Sequence, residues 1–181
     1  MALIEDKLLV KVADIPKNRD ISANMDAGRI EPFIREAQNV EAIRILGPEL
    51  WKVLYDDYDN DLDTFATPKY TDLWKGTDSV TIDGVAVLFQ GLKEAITYYT
   101  YARVLTNNSL NVTRFGNKHM IRDESEDEIN PQIRTKSADA RAMALKYEKE
   151  TIAFLEEKRS DYTEWISITR TSNKSFEFFR V

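Results

Sequence analysis

Acidic side chains crowd one short stretch of the chain. Asp59, Asp61 and Asp63 stand at the first, third and fifth positions of a calcium-binding loop, where carboxylate oxygens at alternate positions surround the ion. The sixth position is Thr64 rather than glycine, and the twelfth is Tyr70 rather than the glutamate that binds calcium through both oxygens. The pattern therefore favours a solvated loop over a calcium site.

The chain has one histidine, His119, and no cysteine. No second His or Cys is present to complete a transition-metal site, and a Ser–His pair without a G-x-S-x-G sequence would depend entirely on His119. The adjacent carboxylates Asp56 and Asp57 point to different sides of a helix and make a poor acid–base couple. We therefore predict no enzyme and no cofactor. The alternative is a helical regulatory or enzymatic domain with a site near Asp59 or His119.

Nucleotide and nucleic-acid binding are also disfavoured. The six glycines form neither of the glycine-rich sequences that hold phosphate. Lys and Arg are not clustered, and the formal net charge is -6, which opposes a grip on DNA or RNA. Residues 123–128 place five carboxylates in six positions. This run predicts a solvated loop, or, as the sharper alternative, a contact with a basic partner or a lumen lining that repels DNA.

Length and composition predict one domain. The 181 residues, 43% hydrophobic and 10% aromatic, suffice for one real core. No apolar run approaches the roughly 20 residues that cross a bilayer, and the N-terminus lacks the layout of a signal peptide. We expect a soluble protein that is cytosolic at synthesis, and the absence of cysteine fits that reducing compartment.

Two amphipathic helices meet at residues 45–51. Gly47 can take the left-handed conformation that closes a helix, and Pro48 suits the first turn of the next one. Both helices carry an apolar stripe at helical spacing. The first stripe comprises Ile30, Phe33, Ile34, Ala37 and Val40, and the second comprises Leu50, Trp51, Leu54, Tyr55 and Tyr58.

Further helices follow along the chain. Residues 68–75 predict a short helix that ends at Gly76. The Asp83-Gly84 pair indicates a hairpin or the entry to the next helix, and we favour the entry because a long apolar periodicity begins there. That helix, residues 87–106, is apolar over most of its circumference and is predicted to be central, with Gly91 marking a close helix contact.

The last helix follows a long connection, residues 109–130, with an extended first part and a turn at Gly116. We place the helix from Pro131 or Ser137 to Arg159. Its sequence offers two adjacent apolar seams. One comprises Ala138, Ala142, Leu145, Ile152 and Leu155, and the other comprises Ala140, Ala144, Tyr147 and Phe154.

These elements predict a mainly α fold, a compact bundle of about four to five helices with a long inter-helix connection and short β-strands or arms at the termini. Leu8, Val10 and Val12 alternate like an edge strand, and residues 175–181 resemble a terminal strand that pairs with another segment. The predicted divisions are an N-terminal arm (1–25), a helical domain (26–165) and a strand-like C-terminal arm (166–181).

Three segments together resemble the head-tail connectors of tailed bacteriophages, also called head-completion or neck adaptor proteins. They are IEPFIREAQNVEAIRILGPELWKVL (residues 30–54), LKEAITYYTYAR (92–103) and LNVTRFGNK (110–118), followed by the closing amphipathic helix. The resemblance covers most of residues 20–165. This chain differs from shorter connectors by extra residues at both ends.

The resemblance implies a structural virion protein of the phage neck, present in the host cytoplasm during assembly. It implies a ring of copies, twelvefold if it follows the portal, that lies beneath the portal protein and receives the tail or stopper. DNA would pass through the lumen without sequence-specific binding, and no membrane is involved. A tail-completion protein of similar fold is the alternative.

The predicted contacts of this ring with neighbouring subunits and the portal lie in the long connection and the C-terminal tail, since both are free to reach neighbours. The residues are Arg114, Phe115, Lys118, His119, Asp123, Glu124, Phe176, Phe178, Phe179 and Arg180.

Overall fold

Helix α5 (Leu92–Asn107) runs through the centre of the fold. The computed structural model describes residues 7–15, 27–107, 110–113, 116–119 and 126–166, and only the backbone of residues 78, 110–113, 116–119 and 126–133. α6 (Glu126–Glu157) packs along α5, α1 (Ala27–Ala37) packs on it, and α4 (Pro68–Lys75) contacts it as well. The central position of α5 agrees with its broad apolar surface. None of the described helices has the length and hydropathy needed to cross a membrane.

The first predicted helix contains a π-helical turn. α1 continues into a π-helical segment (Gln38–Ala42) and then into α2 (Ile43–Leu46). A π turn takes in an extra residue, so the side chains that follow rotate away from the face that α1 buries. Val40, predicted to continue the apolar stripe, is therefore 50% exposed, while Gln38, four residues after the buried Ile34, is itself buried.

Gly47 separates α2 from α3 (Pro48–Asp57), as the sequence predicts. The amide of Gly47 donates to the carbonyl of Ile43 (2.8 Å), which closes α2. Its φ of +78° is positive, but its ψ of 161° is extended, so it is not in the left-handed helical conformation that we expected. Pro48 occupies the first turn of α3. Four side chains of the predicted second stripe are buried: Leu50, Trp51, Leu54 and Tyr58.

A small hairpin occupies the predicted polar loop after α3. β1 (Tyr58–Asp59) and β2 (Thr64–Phe65) pair antiparallel around residues 60–63. The rings of Tyr58 and Phe65 are buried with their centroids 5.2 Å apart, which fixes the hairpin to the core. α4 follows with the predicted bounds and ends at Gly76.

Gly76 and Gly91 bring two backbone segments into direct contact. Their φ angles are +94° and +85°, and a Cβ on either residue would collide with the backbone of the other segment. Gly91 therefore lies in the loop before α5, whereas the sequence predicts it inside the helix. The close approach exists, but it brings together the backbone after the end of α4 and the backbone before the start of α5.

The segment before α5 is a hairpin, so the favoured prediction of a helix entry at residue 83 is wrong. β3 (Thr77–Ile82) and β4 (Val85–Phe89) pair antiparallel, with Ile82 opposite Val85. Asp83 (φ +52°) and Gly84 (φ +80°) form the two-residue turn between them. A two-residue turn with positive φ at both positions has the twist that joins paired antiparallel strands. The turn therefore directs the following residues into a strand, although their apolar periodicity also fits a helix.

The long connection contains a third hairpin, and the last helix begins earlier than predicted. β5 (Leu110–Thr113) pairs with β6 (Gly116–His119). α6 starts at Glu126, so half of the acidic run belongs to a helix rather than a loop. Pro131 is the sixth residue of this helix, where its nitrogen has no hydrogen to donate to the preceding turn.

Of the two predicted seams of α6, the second faces the core. Ala140, Ala144 and Phe154 are buried and Tyr147 is partly buried. In the first seam Ala138, Ala142 and Leu145 are exposed, whereas Ile152 is partly buried and Leu155 is fully buried, so only the first half of this seam faces away from the core. Alanine periodicity alone gives no preference between two neighbouring stripes, and the packing of α5 decides between them.

The prediction of short strands at the termini is corrected: the described strands lie mid-chain, between residues 58 and 119, and the predicted strand at residues 175–181 lies outside the described residues. Residues 7–15 contain a 3-10 turn (Val12–Asp14), and Leu9, Val10 and Ile15 are fully buried. Gln38 holds this segment through its Oε1, which accepts from the amides of Leu9 (2.8 Å) and Val10 (3.1 Å). The backbone amides are satisfied by a side chain, so they need no partner strand. The predominance of helices is consistent with the predicted class.

Candidate interaction surfaces

Two of the predicted interface residues lie in the described backbone. Lys118 and His119 belong to β6, where they pair with Asn111 and Leu110. The other eight fall outside the described residues: Arg114, Phe115, Asp123, Glu124, Phe176, Phe178, Phe179 and Arg180. The interface assigned to these segments stays a prediction.

The acidic stretch after α3 forms a tight turn. Oδ1 of Asp59 accepts from the amides of Asp61 (2.9 Å) and Leu62 (3.0 Å), and the hydroxyl of Tyr58 donates to Asp63 (2.5 Å). Burial, followed by the bond to the Asp63 carboxylate, raises the pKa of Tyr58. These carboxylates hold the turn instead of converging on one point.

An open depression of about 620 Å³ lies beside this turn, lined by Lys7 and the carboxylates of residues 56–61. Within the part of the chain that the structure describes, no three His, Cys, Asp or Glu side chains are grouped to hold a metal ion. The nearby Asp57 carboxylate accepts from both the amide (2.9 Å) and the hydroxyl (2.8 Å) of Thr67. The geometry at Asp59 therefore serves hairpin structure.

A chain of charged side chains joins α2, α5 and α6. Arg44 donates through Nη1 (2.6 Å) and Nη2 (2.5 Å) to the two carboxylate oxygens of Glu148, and the hydroxyl of Tyr99 donates to the same group (2.6 Å). Nε of Arg44 donates to Glu41 (2.9 Å), whose other oxygen accepts from Arg103 (2.8 Å). We call these five residues the polar network. It ties together three helices that are far apart in sequence.

The network shifts the protonation of its members in opposite directions. The hydrogen bond to Glu148 raises the pKa of Arg44, which stays cationic. Burial and the bond to Glu148 raise the pKa of Tyr99. Burial acts to raise the pKa of Glu41, but the bonds from Arg103 and Arg44 outweigh burial and bring that pKa below its ordinary value. At neutral pH Arg44 is therefore cationic, Glu41 is anionic and Tyr99 is a neutral hydrogen-bond donor.

A groove of about 420 Å³ opens beside the polar network, between α5 and α6. Tyr99, Arg103 and Glu41 form its inner wall, and Arg141 and Leu145 of α6 form its rim. Arg103 is neutralised by Glu41 and by Glu36 (3.4 Å). Arg141 has no such partner within the described ranges. We call this the α5–α6 groove.

The rim of the groove belongs to a longer exposed face of α6. Arg134, Ala138, Arg141, Ala142 and Leu145 recur at spacings of three and four and are all exposed. This face, the α6 stripe, contains the first three residues of a seam that the sequence assigned to the core. It places the exposed Leu145 four residues after Arg141, and arginine is among the residues that are enriched at contact surfaces.

A second exposed apolar surface lies on the β3–β4 hairpin. Val80 and Phe89 face the core, where the Phe89 ring stacks on Phe154 with centroids 4.4 Å apart. Val85 and Leu88 are 64% and 59% exposed. β4 has β3 as its partner strand, so its other edge is unpaired among the described strands. A free apolar edge is a site at which another strand can add.

Sequence reasoning missed the polar network. Glu148 lies four residues after Ala144 and therefore on the buried seam, where an ionised carboxylate needs a cationic partner. That position indicated a buried ion pair. It did not indicate Arg44 as the partner, because the two residues are 104 positions apart.

Comparison with known families gives one match. Residues 43–174 match the model of DUF6712, a family of unknown function. The chain belongs to this family. No curated protein and no solved structure matches the chain. The matched range of this DUF6712 chain contains Arg44, Tyr99 and Glu148 of the polar network, and also the α6 stripe. Glu36 and Glu41 precede it.

Proposed function

We propose that this DUF6712 chain is a structural adaptor of a tailed-phage neck. It assembles as a ring beneath the portal, extends the DNA channel and offers a surface to the tail or stopper. The ring is twelvefold if it follows the portal. The chain is a virion protein that works without catalysis or cofactor.

The exposed apolar seam of α6 carries this proposal. Ala138, Ala142 and Leu145 follow core-type spacing, yet they are exposed in the single chain. Exposed apolar faces mark interaction sites, and a subunit that works only within an assembly is expected to leave such faces uncovered as a monomer. The exposed residues of β4 supply a second surface, so one subunit can contact more than one neighbour.

The polar network supports the same function. A ring subunit must transmit load between portal and tail without changing shape, and a two-point Arg–carboxylate bond fixes orientation as well as distance. Arg44 and Glu148 supply this bond between α2 and α6, and Tyr99 of α5 completes it. The charged groups are paired with one another inside the protein, which suits a scaffold better than a reaction centre.

Cryo-electron microscopy of the chain mixed with the portal protein of the same phage tests the proposal. We expect a ring of the chain on the portal. A chain that binds a tail-tube protein but leaves the portal bare would instead indicate the tail-completion role. Absence of assembly with either partner would refute the adaptor proposal.

The C-terminal residues give a second test. Deletion of residues 175–181, which lie outside the described part of the chain, is expected to abolish ring or portal docking and to leave the monomer folded. Circular dichroism and thermal melting check the fold, and sedimentation velocity checks assembly. A truncated chain that assembles normally would overturn the predicted role of Phe176, Phe178, Phe179 and Arg180.

A further inference from the structure

We propose that the β1–β2 hairpin of one copy docks in the α5–α6 groove of the next copy, with Leu62 against Leu145 and Asp61 against Arg141. This inference rests on the proposed ring and names the contact that builds it. The occupant of the groove is a second copy of this chain.

The hairpin tip, residues 59–63, is an exposed turn that internal hydrogen bonds hold in one conformation. Leu62 is 72% exposed, although it lies in a turn that Asp59 and the Tyr58–Asp63 bond hold in place. Nζ of Lys75 also donates to the carbonyl of Asp63 (3.1 Å), which anchors the turn to α4. A loop that is already ordered loses little conformational entropy on binding.

The tip and the groove complement each other in charge and polarity. Residues 59–63 carry three carboxylates and no cation, with the leucine among them. The groove rim carries the exposed leucine Leu145 beside Arg141, the groove cation that lacks a partner in the described part of the chain. The carboxylate of Asp61 likewise has no partner there. Opposite charges around an apolar contact are the arrangement that sets register between partners.

One chain cannot close this contact on itself. The tip is attached to α4, whose end lies against Gly91 at the start of α5. The groove is lined by Tyr99, Arg103 and Asn107 in the second half of α5. α5 has 16 residues, a length of about 24 Å at 1.5 Å per residue. Two different surfaces of one subunit make a head-to-tail contact, which gives a ring when the rotation between successive subunits closes.

Cysteine crosslinking tests the contact directly, because the chain has no cysteine of its own. In a Leu62→Cys/Leu145→Cys variant, oxidation is expected to give a ladder of covalent multimers, both for the concentrated free protein and for the protein mixed with portal. An equimolar mixture of the two single variants is expected to stop at dimers. Val53→Cys/Leu145→Cys is the control, since Val53 is an exposed apolar side chain of α3 (37%) that lies outside the hairpin tip, the groove and the β4 edge, and it should give no ladder.

Charge reversal provides an independent test of the contact. Asp61→Arg and Arg141→Asp should each weaken self-association by about tenfold or more, because each places like charges together. Mixing the two variants restores opposite charges at every contact, so sedimentation velocity should show association again. Melting curves of both variants verify that they fold.

The outcomes separate this contact from the proposed function. A portal-bound ring without 62–145 crosslinks overturns the contact and leaves the adaptor function in place. Crosslinks without any portal or tail binding support the contact and count against the adaptor function. Charge-reversed variants that each associate like the wild type overturn the contact.

Discussion

Arg44 and Glu148, 104 positions apart, form a two-point ion pair that joins α2 to α6. The carboxylate of Glu148 also accepts from Tyr99, so its removal leaves the Tyr99 hydroxyl without this acceptor and leaves Glu41 as the remaining carboxylate bound to Arg44.

Glu148→Ala is expected to lower the free energy of unfolding by about 2–3 kcal/mol, since breaking a partly buried pair strands the remaining charge. Tyr99→Phe removes one bond and should cost about 1 kcal/mol. Urea denaturation measures both. Lys149→Ala is the control on the same helix, because its pair with Asp83 is exposed and should contribute less than about 0.5 kcal/mol. Equal effects of Glu148→Ala and Lys149→Ala would contradict the assigned importance of the network.

Glu41 is expected to make the free energy of unfolding depend on pH in the acid range. Its folded pKa lies below the ordinary value of 4.5, so its contribution is complete above about pH 4.5 and is lost as the pH falls through the folded pKa. Glu41→Gln should therefore cost roughly 2 kcal/mol at neutral pH and progressively less in acid. Urea titrations at several pH values measure this difference. Glu31→Gln, at an exposed pair with Arg35, is the control and should change little. A constant difference across pH would refute the assignment.

Glu150 is expected to behave in the opposite way. Burial raises its pKa, with the more distant Lys146 acting against burial. Oε2 of Glu150 is buried without a hydrogen-bond partner in the described structure. Its folded pKa exceeds the unfolded one, so its contribution is favourable below about pH 4.5 and is lost as the pH rises through the folded pKa.

Glu150→Gln should accordingly stabilise the protein by about 1 kcal/mol at neutral pH, and this gain should vanish in acid. Thermal melting at the two pH values measures it. Glu156→Gln, at an exposed position of the same helix, should give no comparable gain. Destabilisation by Glu150→Gln at neutral pH would show that the pair with Lys146 (4.0 Å) outweighs the cost of burying the charge.

Gly91→Ala is expected to destabilise the fold by more than about 2 kcal/mol, since the new methyl group meets the backbone of Trp74 and Gly76 at a positive φ. Gly84→Ala isolates the cost of the backbone conformation. Gly84 also has positive φ (+80°), but nothing lies within 4 Å of an added Cβ. That variant should cost about 1 kcal/mol. Similar urea midpoints for the two variants would rule out the close approach.

Much of the helical architecture could be predicted from sequence. The stop at Gly47, the start at Pro48 and the bounds of α4 follow from local backbone preferences, which act between neighbouring residues. The apolar stripe of α3 follows from its own periodicity. The Asp83-Gly84 turn is also visible in the sequence. The hairpin that it forms is not, because the residues after the turn fit a helix as well as a strand.

Only the tertiary structure decided how the helices pack and which of their side chains pair. The π-helical turn exposes Val40, which a regular 3.6-residue repeat continues from Phe33 and Ala37. The choice between the two seams of α6 depended on which one α5 covers. The pairing of Arg44 with Glu148, and with it the α5–α6 groove, arises from contacts between residues about a hundred positions apart. Sequence periodicity specifies that a face is apolar, and only packing determines which partner covers it and which face remains for another subunit.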